Sequence, residues 1–454
     1  MKPFQFALLM SSLCFADANA AEVQFDGFYQ MRGRLFDTLS LDRTIDANEG
    51  LTWYVQHRLW LRPKFFVTDK VALFADIRGL DGVVWGDKPQ SWIDPVTQVA
   101  VPTIFTDDLV PPVDGADSSS ALSNLTLQRV WGEFHTKIGT FKFGRQPLHW
   151  GLGLWQNDGL GTLADYGDSA DRISWEHTFQ GIWIQAAADV DAEGLINQTD
   201  DTTAFSLAGA YRSERITGGA QLQYKRSTGA DTKFNLFTAD AAFDIHLGIV
   251  GVAGEVAVQA GSGDLEGGIN GVKSLGIGSV LDLSVKTDKV EAHVEAGVAT
   301  GDGDNTDTKL RTFTFDRDYN LGIVMFEQPM PVLQSSVPGE DRSYAATLTG
   351  DSVSNVMFLK PKVSYQILPG FFADVSFLAA RTAKVPTAQK TPDRRSYGFE
   401  IDAGLHYSGI DHVELSGTFA TFIPGTLYRN FTDDTFQGFK APVFGGQLMA
   451  RIKF

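Results

Sequence analysis

Apolar and polar residues alternate with a period of two along most of the chain. In Val290-Glu291-Ala292-His293-Val294-Glu295-Ala296 the valines and alanines share one parity, and Glu291, His293 and Glu295 share the other. Phe399 to Tyr407 repeats the arrangement, with Phe399, Ile401, Ala403 and Leu405 set against Glu400, Asp402 and His406. A helix needs apolar residues three or four apart; a spacing of two predicts strands with unlike faces. Such segments lie near 22–36, 51–67, 70–79, 121–135, 138–147, 170–179, 180–190, 202–212, 214–226, 231–245, 248–260, 272–286, 289–300, 352–366, 370–381, 394–408, 411–422 and 442–454. Each is close to the ~10 residues of a tilted membrane-crossing strand. The expected count is about eighteen, with 16–18 as the range.

A soluble sandwich alternates in the same way, so the connections carry the distinction. Even-to-odd connections are tight, among them Thr68-Asp69, Thr136-Lys137, Thr287-Asp288, Pro369-Gly370 and Gly409-Ile410. Odd-to-even connections are expected to be loops, including 80–120, 148–169, 301–351 and 423–441. Short turns on one side and long loops on the other predict an all-β fold: a transmembrane antiparallel up-and-down β-barrel with periplasmic turns and extracellular loops. An even count puts both termini on the periplasmic side. The last strand has Phe444, Leu448, Ala450, Ile452 and Phe454 on one face and Gln447, Arg451 and Lys453 on the other. Its terminal aromatic resembles the signal read by the assembly machinery of Gram-negative outer membranes.

Composition narrows the class further. The net charge of −17 argues against a nucleic-acid partner, which needs a basic stripe. No run of 18 apolar residues follows the N-terminus, so no helical membrane span is expected. Residues 1–20 read as a secretory signal: Lys2, an apolar stretch from Phe4 to Phe15, then Ala18-Asn19-Ala20. Residues 21–454 are then one barrel domain. Cys14, the chain's one cysteine, leaves with the signal; a lipid-acceptor cysteine wants a small residue before it, where Leu13 stands. The remaining chain has no disulfide and no thiolate metal site.

If apolar residues face lipid, the opposite parity lines the lumen. The first strand then turns Gln24, Asp26, Gln30, Arg32 and Arg34 inward, and the second turns in Gln56, Arg58, Arg62 and Lys64. His57 is left facing lipid. The third strand turns in Asp76 and Arg78, and later strands add Lys225, Glu291, Glu295, Glu400, Asp402 and Glu414. One wall is basic and the other acidic. Two explanations compete: charges that neutralise one another as ladders, and a cationic track that concentrates an anionic solute.

Two segments exceed a generic barrel. Gly144 to Gly159, continuing through Asp165 to Arg172, leads into a loop too rich in Gly and Trp for a solvated surface. Folded into the barrel mouth it would narrow the pore, with His149, Trp150, Trp155 and Asp158 as constriction candidates. The other explanation is a loop packed on itself or at the lipid boundary. Gly301 to Asp307 alternates carboxylates, and Asp302, Asp304 and Asp307 are candidates for Ca²⁺; no other cofactor is expected. Phe313 stands where an EF-hand has its terminal Glu, so this is not that motif. Phe313 to Glu327 is again too aromatic for a free loop.

The signal, the strands, the terminal Phe454 and the charged lumen resemble the alginate-export type of outer-membrane porin. The local likeness lies in Gly144-Arg145-Gln146 and in the Gly-Asp loop followed by Phe315-Asp316-Arg317-Asp318-Tyr319. Trp150-Gly151-Leu152-Gly153, Asn157-Asp158-Gly159 and Asp168 to Arg172 are also similar to a poorly characterised proteobacterial outer-membrane family. The resemblance implies a monomeric passive channel in which inward arginines guide a polyuronate. That role carries to Arg32, Arg34, Arg58, Arg62, Arg78 and Arg145. Arg145 shares parity with Phe141 and Phe143, so it points inward only if a bulge intervenes.

No Gly-x-Ser-x-Gly, His-Glu-x-x-His or Gly-x-x-x-x-Gly-Lys motif occurs, so no enzyme is expected. An outer-membrane hydrolase, with a site drawn from His149, Asp158 and Asp165 and with nearby Ser169 proving nothing, is one alternative. A plugged barrel acting as receptor, adhesin or scaffold is the other. The expected partners are outer-membrane lipid and lipopolysaccharide, the assembly machinery and a hydrophilic solute.

Overall fold

The computed structural model describes the chain except residues 1–21, 38–50, 87–91, 94–99, 102–124, 193–201, 230–232, 266–268, 304–306, 328–351, 386–394, 430–431, 434–435 and 438–439. The signal segment therefore lies outside the described residues.

Eighteen antiparallel staves form one closed sheet. They are β1 (Glu22–Phe36), β2 (Thr52–Thr68), β3 (Val71–Gly86), β4 (Thr126–Thr136), β5 (Gly139–Pro147) and β6 (Ser169–Phe179). Then come β7 (Ile182–Ala192), β8 (Thr202–Arg212), β9 (Ile216–Thr228), β10 (Lys233–Leu247), β11 (Val250–Leu265) and β12 (Ile269–Lys286). The set ends with β13 (Val290–Ala299), β14 (Val356–Leu368), β15 (Phe371–Thr382), β16 (Ser396–Ile410), β17 (Val413–Pro424) and β18 (Val443–Lys453). Each stave pairs with the next, and β1 closes on β18 from Phe28 opposite Lys453 to Phe36 opposite Gly445. Gly27 and Phe454 exchange two backbone hydrogen bonds of 2.9 and 3.1 Å, so the terminal aromatic locks the seam. Closure satisfies every edge, which an open sheet in lipid could not do.

The alternation read from sequence is the pleat of the barrel wall. Val23, Phe25, Leu73, Val290, Val294, Ile401 and Leu405 are exposed on the outer face, whereas Arg32, Arg34, Asp76, Arg78 and Glu400 are buried on the inner one. His57 does face outward with Tyr29, and the Tyr29 hydroxyl sits 2.7 Å from its Nδ1. That bond offsets part of the cost of an imidazole at the lipid face.

All eight even-to-odd connections are tight, down to Asp69-Lys70 and Gly248-Ile249. The odd-to-even rule needs one correction. β9 to β10 and β11 to β12 are joined by only 229–232 and 266–268, because these staves run on past the apolar band rather than ending in large loops.

The hydrophobic core lies inside the barrel. Phe313, Phe315, Leu321, Val324, Met325 and Phe326 from the 300–327 loop pack with Leu154, Val353, Leu427 and Tyr428. They meet inward side chains such as Phe36, Tyr54, Phe358 and Phe422. This explains the aromatic content of loops that would otherwise face water.

Candidate functional site in the barrel lumen

The loop 148–168 crosses the lumen and is held by guanidiniums on β1 to β4 and β18. Arg58 donates to the carbonyl oxygens of Ala164 and Asp165, both at 2.7 Å. Arg78 donates to Asp165 O at 3.2 Å and also to Tyr166 O. Arg129 donates to Asp158 O at 2.8 Å and Asp168 O at 2.9 Å. Arg451 reaches Thr162 Oγ1 at 3.2 Å. A guanidinium has five donors in a rigid fork, so one side chain can hold two carbonyls at once.

Three guanidiniums, on β1 and β2, share one carboxylate. Arg32 pairs with Asp165, with Arg58 at 3.5 Å and Arg34 at 3.7 Å from it. Burial opposes the charge of Asp165, but Arg32, Arg58 and Arg34 together overturn that and hold its carboxyl well below the usual carboxylate range. Arg34 also pairs with Glu327 of the second loop at 2.8 Å. Arg62 and Arg129 share Asp76, at 2.8 and 3.1 Å. The Trp60 ring lies under Arg78, 4.4 Å from ring centre to guanidinium carbon, and gives that cation a flat face.

Staves β10 to β16 hold the loops through their N–H and O–H groups. Glu400 accepts hydrogen bonds from the amides of Ile323, Val324 and Met325 at 2.7, 3.0 and 2.6 Å. Glu255 accepts the amides of Leu152 and Leu154 at 2.5 and 3.3 Å. Asp240 accepts the Trp150 indole N–H at 3.1 Å, and Glu295 the Tyr319 hydroxyl at 2.7 Å. Two loop glycines follow from this. A Cβ on Gly322 would lie 2.7 to 2.8 Å from both Glu400 oxygens, and one on Gly151 would run into Glu255 and Ala242. Gly151 also has φ +55, which favours glycine.

The two loops are tied to each other as well. Asp318 accepts the amides of Asp165 and Tyr166 at 2.6 and 3.0 Å, and Asp316 N donates to Leu154 O at 2.8 Å. Burial, reinforced by Asp168 beside it, pushes the Asp316 carboxyl up to about 9, and burial raises Asp168 too. The pair therefore holds a proton at neutral pH.

Nearer the turns the lumen carries local charge pairs. They include Lys64 with Asp26 (3.1 Å), Lys142 with Glu176 (2.9 Å), Lys286 with Glu291 (2.9 Å) and His293 with Asp282 (2.9 Å). Asp402 accepts the Ser376 hydroxyl at 3.1 Å. Here the charges form the neutralising ladders set out above.

The fold is thus an eighteen-stave closed barrel with two inward loops. The chain is similar to the BenF-like porin from Pseudomonas fluorescens Pf-5, with TM-score 0.55 and 10% identity over 96% of this chain and 100% of that one. It is also similar to Pseudomonas aeruginosa OccK2 in complex with glucuronate, with TM-score 0.53 and 10% identity over 95% and 98%. Pseudomonas aeruginosa OccK9 matches with TM-score 0.53 and 12% identity over 95% and 99%. No family model matches the sequence, and no curated protein matches it. At these identities the likeness shows the fold alone, the closed antiparallel barrel these outer-membrane proteins share; the alginate-export family in particular is not shown.

The sequence-derived residues divide as follows. Arg32, Arg34, Arg58 and Arg78 converge on the loop, Arg62 joins Arg129 at Asp76, and Lys64 stays with Asp26 near the turns. Trp150 is buried against Ala208, Ala210 and Trp183, and Trp155 packs on the lumen core. His149 Nδ1 lies 3.7 Å from Asp158 Oδ1. Arg145 is a correction. Pairing is unbroken from Val130 opposite Arg145 to Thr136 opposite Gly139, so no bulge intervenes. Arg145 stands on the outer face with Phe143 and forms a pair with Asp171 at 2.6 Å, both about half exposed. For the calcium candidates, Arg311 lies between Asp302 (3.1 Å) and Asp307 (2.7 Å), while Asp304 is outside the described residues.

Two buried lumen arginines, Arg129 and Arg172, escaped the sequence reading, and a third, Arg451, was read on the polar face but not named as pore-lining. Arg172 forms a two-point pair with Asp189 at 2.7 and 2.8 Å. Arg129 shares sequence parity with the outward Leu127. A register shift opposite Asp76 and Ile77 turns it inward. Arg451 was legible, since alternation in the last strand already set it on the polar face.

Proposed function

We propose that this protein is an outer-membrane channel through which small or linear hydrophilic anions diffuse, with carboxylates of the uronate kind as the best-fitting class. The observation that carries the proposal is the sharing of carboxylates on the basic wall. Arg32, Arg34 and Arg58 share Asp165, with Glu327 also on Arg34, and Arg62 and Arg129 share Asp76, so five guanidiniums face three carboxylates. Shared carboxylates leave the wall positive beside the inward loops. A positive constriction between low-dielectric walls concentrates anions and repels cations. Arginine's planar fork also matches a carboxylate in two-point geometry. The glucuronate bound by the similarly folded OccK2 has this chemistry. The basic wall does this work beneath extracellular loops, with both termini periplasmic and the chain monomeric.

One observation favours a second reading. The loop-side lumen holds a packed core, with Phe313, Val324, Met325, Phe358 and Tyr428 almost wholly buried. A barrel filled this way is silent until the loops move, and it then serves as a receptor or a gated channel.

Swelling of liposomes that contain the refolded chain separates these cases. The proposal expects faster uptake of glucuronate than of uncharged glucose. Equal rates would remove the anionic class, and no swelling with either would favour the filled barrel.

A further inference from the structure

We infer that the outer face of β9 to β12 binds the phosphate groups of lipopolysaccharide in the leaflet at the loop end of the barrel. The inference rests on the outer-membrane setting but not on conduction.

Outward positions on these staves form a clean apolar band. On β10 the band runs from Phe243 to Phe237, on β11 from Val252 to Ala260, and on β12 from Val285 to Leu275 with Ser279 as its one polar residue. On β9 it ends at Leu222 and Tyr224, both exposed. The next outward positions toward the loops are Arg226, then Asn235 and Lys233, then Ser262, then Lys273.

Strand register brings these residues side by side. Arg226 faces Asn235, Lys233 faces Asp264, and Ser262 faces Lys273. The short piece Lys309–Leu310 then pairs in parallel with β12, so Lys309 lies beside Lys273. Arg226, Lys233, Lys273 and Lys309 are all exposed. The Tyr224 hydroxyl donates to Asn235 Oδ1 at 2.7 Å and ties the polar edge to the band below. Among the described residues two carboxylates lie near the cations: Asp264 turns its Oδ1 to the Gly271 amide at 2.8 Å, and Asp307 accepts the Lys309 amide at 2.9 Å while pairing with Arg311 at 2.7 Å.

Four cations where the apolar band stops match a lipid whose phosphates sit directly above its acyl chains. The rest of the loop-end rim differs. Phe444 on β18, Leu35 on β1, Trp53 on β2 and Leu127 on β4 are exposed apolar residues near their loop ends. Arg145 is neutralised by Asp171, and Arg381 meets only the Met357 sulfur at 3.3 Å among its described hydrogen bonds. Among the described outward strand positions the cationic cluster is therefore local to one arc rather than a uniform girdle.

The test uses the refolded full chain and the triple variant Arg226→Glu, Lys233→Glu, Lys273→Glu, with Arg381→Glu as control. Heat-modifiable gel mobility checks that each has closed its barrel. Native mass spectrometry then counts retained lipopolysaccharide. The wild type and the control should retain it, and the triple variant should lose affinity by at least about tenfold. Dephosphorylated lipopolysaccharide should bind the wild type as weakly as the intact lipid binds the triple variant. Equal retention by the triple variant, or indifference to dephosphorylation, would overturn the inference. So would phosphatidylglycerol binding as tightly as lipopolysaccharide. The triple variant should conduct like the wild type, so failure of the lipid site and failure of the channel give different results.

Discussion

The two walls of the lumen hold the same loops by opposite means. On β10 to β16, Glu255, Glu295 and Glu400 take up N–H and O–H donors, and Glu400 alone gathers three amides. On β1 to β4, arginines donate to loop carbonyls and share the few carboxylates within reach. The acidic wall thus spends its charge on neutral backbone, in the way a buried carboxylate needs. The basic wall keeps positive charge in hand. Sequence shows two charged walls; structure shows one whose carboxylates are taken up by loop donors and one whose guanidiniums outnumber the carboxylates they share.

Removing an anchor on the acidic wall should have the largest effect. Glu400→Ala orphans three amides, each costing about 1–3 kcal/mol when left unsatisfied. The expected outcome is a lowered denaturant midpoint and faster protease nicking between residues 313 and 327. Glu400→Gln keeps an acceptor and should be milder. If Glu400→Ala left both readouts unchanged, that carboxylate would not be holding the loop.

Reversing charge on the basic wall sharpens the comparison from the other side. Arg58→Glu with Arg62→Glu should shift the zero-current potential toward cations by several-fold in permeability ratio. Asp165→Asn should act oppositely and more weakly, because it frees Arg32, Arg34 and Arg58 from their shared carboxylate. An unchanged potential in both would separate the arginines from selectivity.

Acidity should affect the two loop carboxylate sites differently. Asp316 has its pKa raised to about 9. A raised carboxyl pKa means that the folded state holds a proton the unfolded chain gives up, so stability declines from pH 3.8 up to about 9. Above that value Asp316 is charged beside Asp168, and protection of 148–168 against hydrogen exchange should be lower than at neutral pH. In Asp316→Asn this alkaline loosening should vanish. Asp165 is lowered instead, so its stabilisation is present above the ordinary carboxylate range and fades only in strong acid. Identical alkaline behaviour in wild type and Asp316→Asn would contradict the shared proton.

The outer-face pair should matter least. Arg145→Ala breaks a half-exposed pair, for which about 0–1 kcal/mol is typical, and should leave ion selectivity unchanged. A selectivity shift would mean that Arg145 reaches the lumen after all.

The wall was legible because a period of two is a local property. All eighteen staves and the inward side of Arg32, Arg34, Arg58 and Arg78 follow from neighbours one or two residues away. Arg145 shows the strength of that signal: alternation put it outside, family likeness suggested inside, and the register follows alternation. Arg129 shows the limit, since one shift opposite Asp76 reverses a face without a mark in the local pattern. The destinations of the loops were not legible. Arg58 meets Ala164 across 106 positions and Glu400 meets Val324 across 76, and no local pattern encodes such pairings. Composition gave only the hint that Gly151, Trp155 and Phe313 to Phe326 were too glycine-rich and aromatic to stay in water.

The central claim is that the arginine wall makes this barrel an anion channel, and the zero-current potential of the refolded chain tests it most directly. In a planar bilayer under a salt gradient, the account expects steady conductance with anion preference that Arg58→Glu with Arg62→Glu removes. Steady cation preference in the wild type, or a folded barrel that carries no current, would contradict it.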